Sequence, residues 1–144
     1  STPKPSSAAS DVYKRQVLRM AVFKLLKEGQ TIPIHGSVPK GAKLPYITLG
    51  AATFKPLPNK DLIIWDASLN VEVWAGEDGK KQVNETLNDI CALISAYGCD
   101  MELPQYRINS TQIDLVEDFP EVSTGYHGTV TILFTIQNFN KKEV

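Results

Sequence analysis

Cysteine and histidine are scarce in this chain: Cys91 and Cys99, His35 and His127 are all it has of either. Two cysteines cannot build a disulfide framework. Closing the short loop between them would gain little, and a zinc site would need tight ligand pairs that two distant histidines do not supply. No apolar run approaches the roughly 20 residues that cross a membrane, and no charged start followed by a short apolar stretch resembles a signal peptide. A soluble chain made in a cytoplasm is expected. There is no nucleophile elbow, no Cys/His pairing signature and no phosphate-cradling loop, since GEDG at residues 76–79 lacks the lysine and spacing of a P-loop. With no groups that converge for acid–base work, the reading is of a non-enzyme that uses no cofactor and no metal.

What is present is ordinary for a folded protein. Its 144 residues, 42% hydrophobic and 22% charged, fit one domain with its own core. Residues 1–16 stand apart. STPKPSSAAS has a composition that resists folding, and DVYKRQ at residues 11–16 reads as the translated end of a sequencing-library transposon. This segment is therefore expected to be non-native or disordered, with a single α+β domain over residues 17–144.

Val17, Leu18, Ala21, Val22, Leu25 and Leu26 recur at helical spacing up to Gly29, which predicts a first helix. A Gly/Pro/Lys loop, HGSVPKGAKLP, follows. Next comes a strand with Ile47, Leu49 and Ala51 on one face, then a partner strand with Ile63, Trp65, Ala67, Leu69, Val71 and Val73 on one face. PLPNKD, residues 56–61, has turn composition and makes the pair a long hairpin.

A second helix is predicted after residues 77–79, with a stripe of Val83, Leu87, Ile90, Leu93, Ile94 and Tyr97 and a stop at Gly98. A third strand over about residues 105–117 changes apolar phase between Ile108 and Ile113, as a bulge would make it do. An acidic loop, EDFPEVSTGYHG, leads to the last strand, where Val130, Ile132, Phe134 and Ile136 alternate with polar neighbours. This order predicts an α+β fold: two helices on a four-stranded, mainly antiparallel sheet, with a long projecting β-hairpin.

Charge is uneven along the chain. Residues 17–60 hold seven basic side chains and one acidic, whereas residues 61–144 hold five basic and fourteen acidic. Two readings stay open: complementary faces of a head-to-tail assembly, or charges that intermix once the chain folds. Basic residues are not gathered with stacking aromatics, so sequence-specific nucleic-acid binding is not expected. Membrane binding is not expected either. Near the hairpin tip the alternation fails, because Leu62 and Ile64 are apolar on the face expected to be wet, and clustered exposed apolar surface marks contact sites.

The succession VLRMAVFKLL, VPKGAKLPYITLGA, SLNVEVWA, the helix opening at KKQVNETL, and HGTVTILFTI resembles the tail-completion family of long-tailed bacteriophages, which includes tail-terminator and tail-to-head joining proteins. The resemblance covers nearly everything after Val17. It implies a virion protein of the tail or neck, assembled in the bacterial host cytoplasm. Such a protein would form a homo-oligomeric ring, usually hexameric, that caps the tail tube, ends its growth and joins it to the head. Its partners would be further copies of itself, the major tail tube protein and a head-completion or connector protein.

Phe54, Leu57, Leu62, Ile64 and Trp65 are then the candidate assembly contacts; the alternative is that the hairpin folds back and buries them. Glu117, Asp118 and Glu121 form a candidate secondary interface or a solvated turn. Trp74 is either an interface anchor or, as the favoured reading, a cover for the first turn of the second helix. Two other functions stay open. The chain is another neck or tail structural subunit, such as a head-completion or tube protein, or it is a small-ligand-binding domain with a pocket where His127 meets Tyr126 or Tyr106.

Overall fold

Alternate residues of a strand face opposite ways, so a strand with apolar residues at every second position must lay that side against something. In the computed structural model, which describes residues 5–58 and 63–139, that something is a layer of two helices. Helix α1 spans Pro5–Gly29 and α2 spans Lys80–Tyr97. The strands are β1 (Ile34–His35), β2 (Tyr46–Leu57), β3 (Ile64–Ala75), β4 (Tyr106–Glu121) and β5 (Gly125–Asn138).

They form one five-stranded sheet in the order β1-β2-β3-β5-β4. All pairs are antiparallel except β1–β2. The α+β class with two helices on a sheet stands, but the strand count is five rather than four. The extra strand is two residues long, and a segment that short carries no periodicity to read.

The core lies between the helices and one face of the sheet. Val17, Leu18, Val22 and Leu26 of α1 and Val83, Leu87, Ile90 and Ile94 of α2 are buried against Ala67, Leu69, Val71 and Val73 of β3 and Val130, Ile132, Phe134 and Ile136 of β5. Tyr97, expected in the stripe of α2, is 55% exposed, because Gly98 continues into a 3-10 turn, Gly98–Asp100, that passes beneath β4. A Cβ on Gly98 would sit 2.8 Å from Thr111 Cγ2. Close approach, rather than a left-handed stop, is the reason for this glycine.

Three local differences have physical causes. In β2 the register slips between Leu49 and Ala52, so Ala52, not Ala51, shares the core face with Ile47 and Leu49; the carbonyl of Gly50 at this bulge accepts a hydrogen bond from Arg19 of α1 at 3.0 Å. In β4 the register slips between Ile108 and Ser110 and again between Ile113 and Leu115, which accounts for the phase change in the sequence. The acidic segment expected to be a loop is mostly strand: β4 runs to Glu121 and only residues 122–124 turn. Gly125 makes that turn tight, with φ of +125°.

Helix α1 also begins earlier than its apolar spacing indicates. Extending an existing helix costs far less than nucleating one, and it reaches back to Pro5 through the segment expected to be disordered. Lys14, 2% exposed, places its Nζ 3.4 Å from the Trp65 ring centroid, and Tyr13 meets Tyr106. No described helix is long and apolar enough to cross a membrane.

Candidate functional site

Both helices lie on one face of the sheet, so the opposite face and the two sheet edges remain as surface. The paired ends of β2 and β3 carry four of the five candidate assembly residues; Leu62 lies outside the described residues, as do residues 59–61 of the expected turn. Leu57 pairs with Ile64, and Ile64 pairs in turn with Gln137. Leu57 is exposed and Ile64 half-buried. Phe54 and Trp65 point to the helix side, where their rings meet edge-on at 6.4 Å and Lys14 lies over Trp65. The four thus divide into two outward apolar side chains and two that brace the hairpin against α1. β5 pairs with β3 along its whole length, which keeps the described part of the hairpin within the sheet.

Glu117, Asp118 and Glu121 lie at the other end of the sheet, on β4. Asp118 Oδ2 accepts hydrogen bonds from the Tyr126 hydroxyl and from Asn84 Nδ2, the latter at 3.3 Å. The Tyr126 hydrogen bond, more than the Asn84 contact and the Lys80 charge, holds the Asp118 carboxyl below its ordinary range despite some desolvation. The same bond raises the Tyr126 hydroxyl. A carboxyl depressed in the folded state stabilises the protein above its unfolded pKa, and that contribution is lost as pH falls through the folded pKa. Tyr126→Phe is therefore expected to move the Asp118 carboxyl upward in an NMR titration and to remove its share of stability at neutral pH; an unmoved titration would refute the assignment.

Sequence reasoning missed a row of rings that crosses the outer face at this end. Tyr46 pairs with Trp74, Trp74 with His127, and His127 with Phe119. His127 stacks on Trp74 at 3.7 Å and 14° and meets Phe119 edge-on at 5.0 Å, and His35 extends the row beyond Tyr46 at 5.4 Å. Glu72 Oε1 lies 3.3 Å from His127 Nε2, and Glu121 Oε2 lies 3.7 Å from Nδ1.

Trp74 Nε1 donates to Thr48 Oγ1 at 2.9 Å. Trp74 therefore belongs to the face away from α2 and does not cover that helix, because Val73 and Ala75 on either side face the core. Parity alone would have indicated this; the cross-strand register that builds the row cannot be read from one strand. Trp74→Ala is expected to cost about 1–3 kcal/mol in urea unfolding, less than a fully buried Trp because this one is half-exposed.

His127 does not meet Tyr106, which pairs with Asn138 at the opposite end, and it faces away from its neighbour Tyr126. Among the described residues no group of three or more His, Cys, Asp and Glu is placed to hold a metal ion.

Part of the uneven charge of the sequence becomes a separation in space. On the β1–β2 side, Arg19 of α1 reaches the Gly50 carbonyl of β2 and the loop after β1 adds the exposed Lys40 and Lys43, whereas Lys14 is buried over Trp65 and Lys24 shares a concavity with Glu28, Asp100 and Glu102. The opposite edge is β4, whose second half carries Asp114, Glu117, Asp118 and Glu121 with no base. Both readings of charge keep some support: Lys40 and Lys43 lie away from the acids of β4, while Lys55 lines one concavity with Asp66 and Asp114.

Comparison with known proteins agrees with this architecture. The family model described as "Tail completion protein gp17" matches residues 19–137. A chain from a solved structure titled "Virion of native gene transfer agent (GTA) particle" superposes with a TM-score of 0.63 at 16% identity, over 86% of this chain and 96% of that one. At that identity the likeness is one of fold. No curated protein matches the sequence.

Proposed function

Because this chain belongs to the family of Tail completion protein gp17 and is a structural protein of the phage tail, we propose that its copies close into a hexameric ring that caps the tail tube. In that position the ring ends tube growth and presents a joint to the head. Its partners are other copies of itself, the major tail tube protein and a head-completion or connector protein. The role is structural rather than catalytic, and residues 17–144 act in it as one tail-completion unit.

The observation that carries this reading is the placement of Arg19, Lys40 and Lys43 on the β1–β2 side of the sheet and of Glu117 and Glu121 on β4 at its other edge. A subunit in a closed ring offers two different surfaces, one to each neighbour, and a basic side matched to an acidic side favours head-to-tail contact over self-pairing of either. Leu57 and Ile64 supply apolar contact at the described end of the hairpin. Glu117 and Glu121 supply the acidic partner surface, while Asp118 is held by Tyr126.

Native mass spectrometry of the full chain over a range of concentrations tests the proposal. A single closed species at six times the subunit mass is the expected outcome. A continuous series of masses would instead indicate an open filament, as a tube subunit gives.

A further inference from the structure

We propose that neighbouring copies join edge to edge, with β4 of one copy beside the outer part of β2 in the next, so that their open sheets merge into one continuous antiparallel surface. This names the contact within the ring proposed above and rests on that reading. The occupant of each edge is a second copy of this chain.

Strand direction is the first argument. β2, β3, β5 and β4 are antiparallel at every step, so β2 and β4 run in opposite directions at the two sides of the sheet. A copy turned about an axis along the strands would bring its β2 beside β4 without breaking the alternation. An edge-to-edge dimer about a two-fold would instead place β4 beside β4.

Both edges also keep backbone without a strand partner among the described residues. β1 covers only Ile47 and Thr48 of β2, so residues 51–57 pair on one side alone among the described residues. From Arg107 to Glu121, apart from Asn109 and Asp114 at its bulges, β4 pairs with β5 alone among the described residues. A long unpaired edge is a template for another strand.

The two edges also match in level and regularity. The bulges in β4 leave residues 110–113 as an uninterrupted run, and the rows of the sheet carry these through Thr135, Phe134, Leu133 and Ile132 of β5 to Lys55, Phe54, Thr53 and Ala52 of β2. That stretch of β2 is itself regular and lies within its free part. Continuing the rows into the next copy places Gln112 beside Thr53 and Ser110 beside Lys55.

Charge decides which edges meet. With the rows level, the acidic half of β4, from Asp114 to Glu121, reaches the neighbour's β1 and the loop bearing Lys40 and Lys43. The same carboxylates repel a second β4. The edge is thus guarded against itself and open to its complement.

Disulfide trapping tests this in the full chain with Cys91 and Cys99 replaced by serine. Thr53→Cys and Gln112→Cys are introduced together, both positions being exposed, with Lys55→Cys and Ser110→Cys as a second level pair. Mild oxidation is expected to convert the monomer band into a ladder that ends at the mass of the closed ring, whereas either cysteine alone gives no species beyond a dimer. If native mass spectrometry still shows the closed oligomer but neither pair yields a ladder, edge pairing is overturned and the ring stands. A monomer at every concentration with no ladder overturns the ring and the pairing together.

Discussion

Gly125→Ala is expected to cost about 3–5 kcal/mol, a large part of the roughly 5–15 kcal/mol that holds a domain together. Two effects add. The φ of +125° at Gly125 is one that a side chain adopts only under strain, about 1–3 kcal/mol for a residue held in such a region. The new Cβ would also lie 2.2 Å from the backbone nitrogen of Glu77 and 2.5 Å from the carbonyl carbon of Gly76. Backbone cannot rotate aside as a side-chain tip can, so overpacking adds about 1–3 kcal/mol.

Gly36 has nothing within 4 Å of its added Cβ, and Gly36→Ala should stay within about 0.5 kcal/mol of the parent. Urea unfolding of the two variants gives the contrast. Equal midpoints would mean that the turn at Gly125 and the segment at residues 76–77 do not meet as the structure has them. The consequence reaches the assembly surface, because Gly125 starts the strand that carries His127 and pairs with the acidic end of β4.

The second large effect concerns assembly rather than stability. Leu57→Asp with Ile64→Asp is expected to leave the chain folded while shifting native mass from the closed oligomer to the monomer. Leu57 is exposed and Ile64 half-buried, so neither aspartate is forced into the core. At an interface each would bring an unpaired charge into a desolvated contact, and a central contact is worth about 2 kcal/mol, or roughly thirtyfold in association. Circular dichroism and thermal unfolding confirm the fold in the same samples. Persistence of the oligomer in a folded double variant would remove this end of the hairpin from the interface.

Phe54→Ala is a useful contrast, since its ring meets Trp65 on the helix side. That change should lower stability before it alters association.

How legible these features were in the sequence depended on how many residues each signal spans. The stripes of α1 and α2 and the parity of β3 and β5 run over many residues, and the structure agrees with them nearly side chain by side chain. The bulge in β4 was legible because it puts Ile108 and Ile113, five positions apart, on one face. The slip in β2 was not, because Gly50 and Ala51 have too little side chain to show which way they face. Strand β1 is two residues long and exists only through its pairing with Ile47 and Thr48.

The acidic segment before the last strand misled for a different reason. Its charges and its proline read as a loop, yet backbone pairing with β5 holds it extended to Glu121, and charge on an edge strand is how sheets avoid wrong partners. The aromatic row depends on register across four strands, which no single segment encodes. The distribution of charge was half visible: the tally along the chain gave the two signs, and only the fold sets Lys40 and Lys43 apart from the acids of β4 while bringing Lys55 to Asp114.

Electron microscopy of tail tubes grown from the major tail tube protein, with and without this chain, tests whether the chain caps the tube. Tubes of limited length, each ending in a single ring, are expected when the chain is present, and continued growth when it is absent. Tubes built from repeated layers of this chain, or tube lengths unaffected by its addition, would contradict it.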